Sequence, residues 1–172
     1  VEDIPGTALA EGIKWNWETF PEYLDSLERQ SRVLDVATQV PHGSVRAYVM
    51  GERGARNEPA THEDIEEMAR IVREGIEAGA LGFSTSRTML HLSKDGEPVP
   101  GTFANEAELI GIGRALGDAG HGVFEIASDM TPAEEEFHWM KALSAETGLP
   151  VTYALLQSPV DADKWRSMLY LT

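Results

Sequence analysis

Residues 61–86 read THEDIEEMARIVREGIEAGALGFSTS and contain the unit from which the fold is predicted. A helix is predicted to begin at Thr61, where the hydroxyl and the acidic residues that follow form a capping-box-like start. Its apolar residues recur three or four positions apart, and Gly79 ends it. A short apolar strand that finishes in hydroxyl side chains follows at once. This order is typical of repeating units in which helices alternate with parallel strands.

The same order occurs twice more downstream. A second helix is predicted over residues 105–120, with a strand over 123–127 after it. A third helix is predicted over residues 131–148, with a strand over 150–157. Each helix is short enough to connect two neighbouring parallel strands by a crossover.

The helix starts carry caps and acidic residues. Thr131 is expected as the N-cap of the third helix, with Pro132 at the first helical position. Glu106, Glu108 and the run 134–136 are interpreted as first-turn acids, which the helix dipole favours. On this interpretation their side chains serve the helix itself.

Regions outside these units complete the predicted architecture. A further strand is predicted over residues 33–40 and a last helix from about Asp161. Long loops are predicted over part of 39–59 and over 87–103, each after a strand end. Such a chain can form a doubly wound sheet or a (β/α)₈ barrel. Because the Gly-rich phosphate loop of the doubly wound fold does not occur, we predict an α/β fold, a partial (β/α)₈ (TIM-type) barrel of about four consecutive βα units.

The length limits how much of a barrel can be present. The chain has 172 residues, whereas a closed barrel needs roughly 200 or more. We predict one incomplete barrel domain over 1–172, with an aromatic-rich N-terminal helical segment over 1–32 and βα units over 33–172. A start at Val1, without an initiator Met, suggests a central part of a longer protein. We expect the missing barrel segments or a second copy to cover the open strand edges.

Composition narrows the classes of partner. The formal net charge is −15 and there is no cysteine. An acidic surface repels phosphate backbones, so nucleic-acid binding is not expected. No apolar run approaches eighteen residues, so no membrane partner is expected either. The absence of cysteine suits the cytoplasm. We therefore expect a cytoplasmic protein that acts on a small-molecule substrate.

Histidine and arginine residues in the two long loops are the candidate ligand-binding groups. The five histidines show no H-x-H or H-E-x-x-H spacing, so no residue is assigned to a metal. His42 and His91 fall in the loops at the active face of a barrel, although either could be a loop hydrogen-bonding residue. Arg46 and Arg87 suit a substrate carboxylate, because a guanidinium can grip it at two points. A salt bridge within an acidic protein is the alternative for both.

Glu125 interrupts an otherwise apolar strand. If Phe124 and Ile126 face the helices, strand alternation points Glu125 into the barrel. A buried carboxylate must be paired or must have a raised pKa. Glu125 is therefore a candidate catalytic acid or base, or else an ion-pair partner of Arg87 or Arg46.

Two segments resemble a known enzyme family. Residues 79–86, GALGFSTS, are similar to its G-A-x-G-[FL]-S-[ST]-G-L strand, and residues 40–46, VPHGSVR, to its V-G-H-[GS]-x-[LV]-R segment. This is the D-aminoacylase (N-acyl-D-amino-acid deacylase) family of the amidohydrolase superfamily, and the resemblance covers most of residues 33–125. It implies a (β/α)₈ barrel and hydrolysis of an N-acyl amide by a metal-activated water.

The chain departs from that family at several positions. Ser86 and Arg87 stand where the family has glycine and leucine. Alignment with the family patterns Y-A-T-H-x-R and P-V-x-x-S-H puts Ala127 and Leu155 in place of two metal-binding histidines. The expected H-x-H pair and aspartate lie outside this sequence. Any Zn²⁺ in the full-length parent would therefore be held mostly by segments that are not present here.

The resemblance gives a functional hypothesis. The parent protein is expected to be a hydrolase of the N-acyl C–N bond in a small acylated amino acid, and this central part alone is expected to be inactive. Arg87 is the expected carboxylate anchor. The residues expected to shape the substrate side of the pocket are His42, Arg46, Ser86, Arg87 and His91. The alternative is a diverged, catalytically dead barrel that serves as a small-molecule binding or assembly module.

Overall fold

The computed structural model describes residues 6–157 and 161–172. Four parallel strands form one sheet in the order of the chain. The strands are β1 (Val40–Pro41), β2 (Gly82–Arg87), β3 (Val123–Ser128) and β4 (Val151–Tyr153). The helices are α1 (Gly6–Gly12), α2 (Phe20–Glu28), α3 (His42–Met50), α4 (Glu52–Ala55), α5 (His62–Glu77), α6 (Glu106–Ala119), α7 (Ala133–Thr147) and α8 (Lys164–Leu171).

Local sequence signals set the starts of the central helices. Before α5, the Thr61 hydroxyl accepts a hydrogen bond from the backbone N–H of Asp64, and the Asp64 carboxylate accepts one from the N–H of Thr61. Before α6, the side chain of Asn105 accepts from the N–H of Glu108 at 2.9 Å. Gly120 ends α6 in the left-handed conformation, with φ of 77°. These capped starts and the α6 stop confirm the predicted boundaries.

The helices cover one face of the sheet. Helix α5 packs against α3 and α6, and α6 packs against α7. Strand residues buried toward these helices are Phe83, Thr85, Phe124 and Ile126. Strand residues of the opposite face, called the free face below, are Ser84, Ser86, Glu125, Ala127 and Thr152. A doubly wound sheet has helices on both faces, so one helical layer on a parallel sheet defines an arc of a barrel.

The strand predicted over residues 33–40 is wrong except at its last position. Only Val40 lies in β1, while Val33 is fully exposed. A single further bond, from the N–H of Leu81 to the carbonyl oxygen of Thr38 at 2.8 Å, continues the pairing with β2. Residues 33–37 have no neighbouring strand in the structure. Their β-type sequence therefore forms no backbone hydrogen bonds of a sheet.

The segment predicted in part as a loop over 39–59 contains two helices, α3 and α4. Helix α3 follows β1 directly, and its N-cap is Pro41, which provides no side-chain hydrogen bond. Because the usual Ser, Thr, Asp or Asn cap is missing, the sequence gives no start signal at this helix. His42 is therefore the first residue of a helix and is not in a loop.

Three further boundaries differ from the predictions. The N-cap of α7 is Pro132, and the Thr131 hydroxyl instead donates to the carbonyl oxygen of Asp129 at 3.1 Å. Strand β4 ends at Tyr153 rather than at residue 157. Helix α8 begins at Lys164, three residues later than expected.

Helices α1 and α2 and a group of aromatic side chains form the N-terminal segment. The ring of Trp17 lies 5.6 Å from that of Trp15 and 5.2 Å from that of Tyr23, and α2 packs against α5. Residues 1–5 of the N-terminal segment predicted over 1–32 lie outside the described residues, and the single domain over 1–172, divided at residue 32, stays a prediction. Within 6–157 and 161–172, no helix has the length and apolar character that crossing a bilayer requires.

Candidate active site at the carboxyl ends of the strands

A buried polar cluster lies behind the ends of β1 and β2. Nε2 of His42 lies 2.9 Å from Oε1 of Glu108, and its Nδ1 lies 2.8 Å from the hydroxyl of Thr85. Nε of Arg46 donates to the same Glu108 oxygen at 2.8 Å. His42, Arg46 and Glu108 are each only 1% exposed. The cluster therefore joins the start of α3 to the first turn of α6 inside the protein.

The charges of this cluster compensate one another. Burial acts to raise the pKa of Glu108, but hydrogen bonds from His42 and Arg46 outweigh it and hold the pKa below its ordinary value of 4.5. Arg46 also donates to the carbonyl oxygens of Gly54 and Glu58. Oε2 of Glu108 has no hydrogen-bond partner in the described part of the chain. Glu108 is thus an ionised, buried acceptor at neutral pH.

Arg87, at the end of β2, is fixed by a second ion pair. Its Nη2 lies 2.7 Å from Oε1 of Glu136 on α7, and its Nε lies 3.1 Å from both carboxylate oxygens. Its Nη1 donates to the carbonyl oxygen of Ala104. Ser128, at the end of β3, donates to Glu136 at 3.3 Å. The Arg87 side chain, 20% exposed, is held at the carboxyl edge of the sheet.

The ion pair expected between Glu125 and an arginine does not form. Arg46 and Arg87 bond to carboxylates on helices, whereas Glu125 lies exposed on the free face. Phe124 and Ile126 do face the helices, which is the condition on which the orientation of Glu125 was predicted. Its role as a catalytic acid or base stays a prediction.

Ser86 and His91 are in contact at the same edge. Oγ of Ser86 lies 2.9 Å from Nδ1 of His91, and both residues are half-buried. The backbone of His91 is held on both sides: its N–H donates to the carbonyl oxygen of Thr88, and its carbonyl oxygen accepts from the N–H of Val99. The imidazole therefore has a fixed position beside the last free-face hydroxyl of β2.

The segment 88–104, called the β2–α6 loop below, is fastened by side chains. Near its start, the Asp129 carboxylate accepts from the N–H of Met89 at 2.8 Å. Near its end, the Asn57 amide donates to the carbonyl oxygens of Pro98 and Val99 and accepts from the N–H of Gly101 at 2.8 Å. A long loop fastened at both ends can hold functional groups in place.

The structure groups the predicted site residues into neighbouring clusters rather than one constellation. His42 and Arg46 share Glu108, Ser86 contacts His91, and Arg87 bonds to Glu136. The substrate contacts predicted for these five residues stay predictions. Residues that the sequence reasoning did not assign to the site are Asn57, Thr85, Glu108 and Glu136.

A sequence signal exists for the two buried glutamates. Glu108 lies four residues before the buried Ile112, and Glu136 lies four residues before the buried Met140. Each acid therefore falls on the apolar stripe of its helix rather than on the solvent side. An acidic residue on the apolar stripe of a helix is expected to be buried and to have a hydrogen-bonded or charged partner.

A groove of about 360 Å³ is lined by aromatic side chains of the N-terminal segment and by residues that flank His42 and Arg46. Its lining residues include Trp17, Phe20, Tyr23, Tyr48 and Arg70. None of its lining residues belongs to β2, β3 or β4. The carboxyl ends of the strands, where parallel α/β barrels carry their chemistry, are the better candidate site.

Comparisons with known proteins agree with this architecture. The fold and the strand-end clusters define an α/β-barrel protein with a polar site at the carboxyl edge of its sheet. The family model described as "Amidohydrolase family" matches residues 5–171, and the chain therefore belongs to the amidohydrolase family. The predicted family is thereby confirmed.

Two curated relatives are both from Alcaligenes xylosoxydans xylosoxydans. A D-aminoacylase is 35% identical over 81 residues, which is 47% of this chain and 16% of the relative. An N-acyl-D-glutamate deacylase is 33% identical over 121 residues, 68% of this chain and 22% of the relative. The chain thus spans less than a quarter of the length of either relative.

Solved structures of D-aminoacylase share the fold. One concerns the binuclear metal centre of that enzyme, and another is a mutant of it in complex with copper chloride. Each superposes with a TM-score of 0.68 at 21% sequence identity, over 89% of this chain and 30% of the other. The similarity confirms the predicted partial barrel.

The described side chains at the ends of β3 and β4 do not fit a metal centre. Ala127 ends in a methyl group and Leu155 in an isobutyl group, and neither side chain has an electron pair to donate to a metal. Within the described ranges, 6–157 and 161–172, no group of three or more His, Asp or Glu side chains could hold a metal ion. No metal ligand is therefore assigned among the residues that the structure describes.

Proposed function

We propose that this chain supplies central βα units of an amidohydrolase that cleaves the N-acyl C–N bond of a small acylated amino acid. The observation that carries the proposal is the polar edge formed by Ser86, Arg87 and His91 at the end of β2. The matching relatives, a D-aminoacylase and an N-acyl-D-glutamate deacylase, act on substrates of this class by name.

Arg87 is proposed as the anchor for the substrate carboxylate. A guanidinium has five N–H donors, and the bonds to Glu136 and Ala104 occupy three of them. Two N–H groups remain on a side chain that cannot swing away. A fixed fork of this kind can bind a carboxylate with little loss of side-chain freedom.

His42 and Arg46 are proposed to act through the positions of other groups. Both are buried and hydrogen-bonded to Glu108, one layer behind the free face. They fix the end of β1 and the start of α6, where the β2–α6 loop ends. Ser86 and His91 lie on the substrate side, and Glu125 is the candidate acid or base on the free face.

Any Zn²⁺ in the whole protein is proposed to be held by residues outside those described. The structural neighbour has a binuclear metal centre, whereas Ala127 and Leu155 offer no ligand atoms here. We also propose that the open edges of the sheet are covered by the rest of the barrel or by a second copy. The cytoplasm is the proposed compartment, in keeping with a chain that has no cysteine.

The proposal is tested on the full-length protein with a panel of N-acetyl D- and L-amino acids. Release of the free amino acid is measured by mass spectrometry, and bound metal is measured on the same sample. We expect turnover of at least one substrate and a KM raised about tenfold or more in Arg87→Ala. Arg114→Ala, at an exposed ion pair between helices, is the control and should keep the KM of the wild type. No release from any substrate would refute the proposed activity.

A binding or assembly module is the second candidate. It is favoured by Ala127 and Leu155, which offer no metal ligand at the ends of β3 and β4. This candidate predicts that an N-acyl amino acid raises the melting temperature without being consumed. Consumption of the ligand in the same tube would exclude it.

A further inference from the structure

We propose that Glu136 is a positioning residue, which holds the Arg87 guanidinium so that the site selects ligands with a free carboxylate over the matching neutral amides. The inference deepens the proposed function and rests on it for the role of Arg87 as the anchor. Glu136 acts through Arg87 and not by contact with the substrate. Its effect is therefore expected in the selectivity for the carboxylate and not in the cleavage of the amide bond.

Glu136 connects the ends of two strands with the first turn of a helix. Its Oε1 accepts from Nη2 of Arg87 at 2.7 Å, and both of its oxygens lie 3.1 Å from Nε of Arg87. Its Oε2 also accepts from the hydroxyl of Ser128 at 3.3 Å. Arg87 and Ser128 are register partners at the ends of β2 and β3. One carboxylate at the start of α7 therefore bonds to both strand ends.

The burial of Glu136 indicates a role beyond the start of the helix. Glu134 and Glu135 lie in the same first turn and are exposed, whereas Glu136 is only 7% exposed. An acid that serves only the helix dipole can stay in water, as these two neighbours do. A carboxylate is costly to bury unless it is paired. The partner that accounts for the burial of Glu136 is Arg87.

The bonds to Glu136 decide which N–H groups of Arg87 are left for a ligand. Glu136 accepts from Nε and from one N–H of Nη2, and the carbonyl oxygen of Ala104 accepts from one N–H of Nη1. One N–H group is then left on each of the two Nη atoms. A carboxylate has two oxygens that can accept from such a pair. Without Glu136, the ligand itself would have to order the guanidinium, at a cost in binding free energy.

The negative charge of Glu136 acts in the opposite direction. It repels a second carboxylate that binds at Arg87, because like charges raise each other's energy. If Glu136 only neutralised Arg87, its removal would strengthen the binding of a carboxylate. If Glu136 positions Arg87, its removal weakens that binding. The sign of the change therefore separates positioning from charge compensation.

Two conservative variants separate the reach of Glu136 from its charge. In Glu136→Gln, Oε1 can still accept from both Nε and Nη2 of Arg87, since both donate to that oxygen. In Glu136→Asp the charge is kept, but the carboxylate is drawn back by one methylene group. Positioning predicts that Glu136→Gln keeps the preference for the carboxylate and that Glu136→Asp loses it. Charge compensation alone predicts that Glu136→Gln raises the preference and that Glu136→Asp leaves it unchanged.

The test measures the binding of a probe that lacks the scissile amide to the full-length protein. N-methanesulfonyl-leucine and its carboxamide, each as the D and the L form, differ only in the carboxylate, and their Kd values are measured by isothermal titration calorimetry. We expect the wild type to prefer the acid and the preference to fall about tenfold in Arg87→Ala and in Glu136→Ala. The double variant should lose little more, because Glu136 acts through Arg87.

The control is a glutamate of the same helix. Glu146→Ala removes an exposed ion pair between α7 and Arg114, and it should keep the preference of the wild type. Thermal melts establish that each variant is folded. If Glu136→Ala does not fold, the opposite predictions for Glu136→Gln and Glu136→Asp decide the question.

Hydrolysis gives a second readout. With an N-acetyl amino acid that the wild type cleaves, KM should rise about tenfold in Glu136→Ala while kcat stays within about twofold, because the carboxylate is bound alike in the ground state and the transition state. A fall in kcat at constant KM would contradict the positioning role.

The outcomes separate this inference from the proposed function. A preference for the acid that is unchanged or larger in Glu136→Ala would overturn the positioning role and leave the amidohydrolase activity standing. A wild type that binds the carboxamide as tightly as the acid would overturn it as well. Loss of the preference in Glu136→Asp but not in Glu136→Gln, without hydrolysis of any N-acyl amino acid, would support the positioning role and refute the proposed activity.

Discussion

Nε2 of His42 lies 2.9 Å from Oε1 of Glu108, although 66 positions separate the two residues in the chain. Arg46 donates to the same oxygen, and all three side chains are closed off from solvent. The contact connects the end of β1 with the start of α6 across β2. A change at Glu108 is therefore expected to affect the packing of β1, α3 and α6 together.

Replacing Glu108 by alanine is expected to destabilise the protein by about 3–5 kcal/mol, because Arg46 would keep a buried charge without its partner. Urea unfolding followed by circular dichroism measures the change. Glu106→Ala, an exposed acid in the same helical turn, is the control and should cost less than about 1 kcal/mol. Equal losses in the two variants would show that the buried cluster adds no stability.

Stability is expected to fall in acid partly through Glu108. In the folded protein its pKa is held below 4.5, so the unfolded chain takes up this proton at a higher pH than the folded one. The stabilisation is complete above the ordinary pKa and is lost as the pH falls through the lowered one. Unfolding free energies of the wild type and Glu108→Gln, measured from pH 7 to pH 3, should converge below 4.5. A gap that stays constant in acid would contradict this assignment.

The Arg87–Glu136 pair is expected to be energetically coupled. Its partners are largely shielded from water and share three hydrogen bonds, so a double-mutant cycle with Arg87→Ala and Glu136→Ala should give about 2 kcal/mol. The comparison is Arg114–Glu146, an exposed pair between α6 and α7, where the coupling should stay below about 1 kcal/mol. If the exposed pair had the larger coupling energy, shielding from water would not explain the strength of the Arg87–Glu136 pair.

Gly82→Ala is expected to disrupt the pairing of β2 with β3. A Cβ atom at Gly82 would overlap the backbone oxygen and nitrogen of Val123, which cannot move aside as a side chain can. We expect a loss of about 3 kcal/mol in thermal or urea unfolding. Gly12→Ala is the control, since a Cβ there meets no atom within 4 Å, and it should leave the stability nearly unchanged.

Asn57→Ala is expected to release the β2–α6 loop. The substitution removes two bonds donated to the loop and one accepted from it, and Asn57 itself has φ of 57°, a conformation that alanine disfavours. Amide hydrogen exchange should become faster at Val99 and Gly101 while the protection of β3 is retained. Unchanged exchange at these two amides would mean that other contacts suffice to hold the loop.

The parts of the fold that could be predicted are those with local signals. Helices α5 and α6 could be predicted because Thr61 and Asn105 cap them and because their apolar residues recur at helical spacing. The strand predicted over 33–40 failed for a physical reason. A β-type sequence forms a strand only beside another strand, and just Val40 of that segment has such a partner in β2. No local pattern contains that information.

The candidate site was predictable in its residue types but not in its pairings. Ser86, Arg87 and His91 were found because they follow a strand end. The partners of the arginines were missed, because Glu108 and Glu136 were interpreted as acids that favour the helix dipole. Each contact spans more than 40 positions, so it depends on how the helices lie on the sheet.

The strand order, which equals the order along the chain, has a consequence for synthesis. Each strand pairs with the one that the ribosome has made just before it, so no strand has to wait for a partner that is synthesised much later. The sheet can therefore grow at one edge as the polypeptide emerges, with each helix covering the newest pair of strands. Once residues up to Ser128 have left the ribosome, both strands of the β2–β3 ladder are available, and the later addition of β4 only extends it.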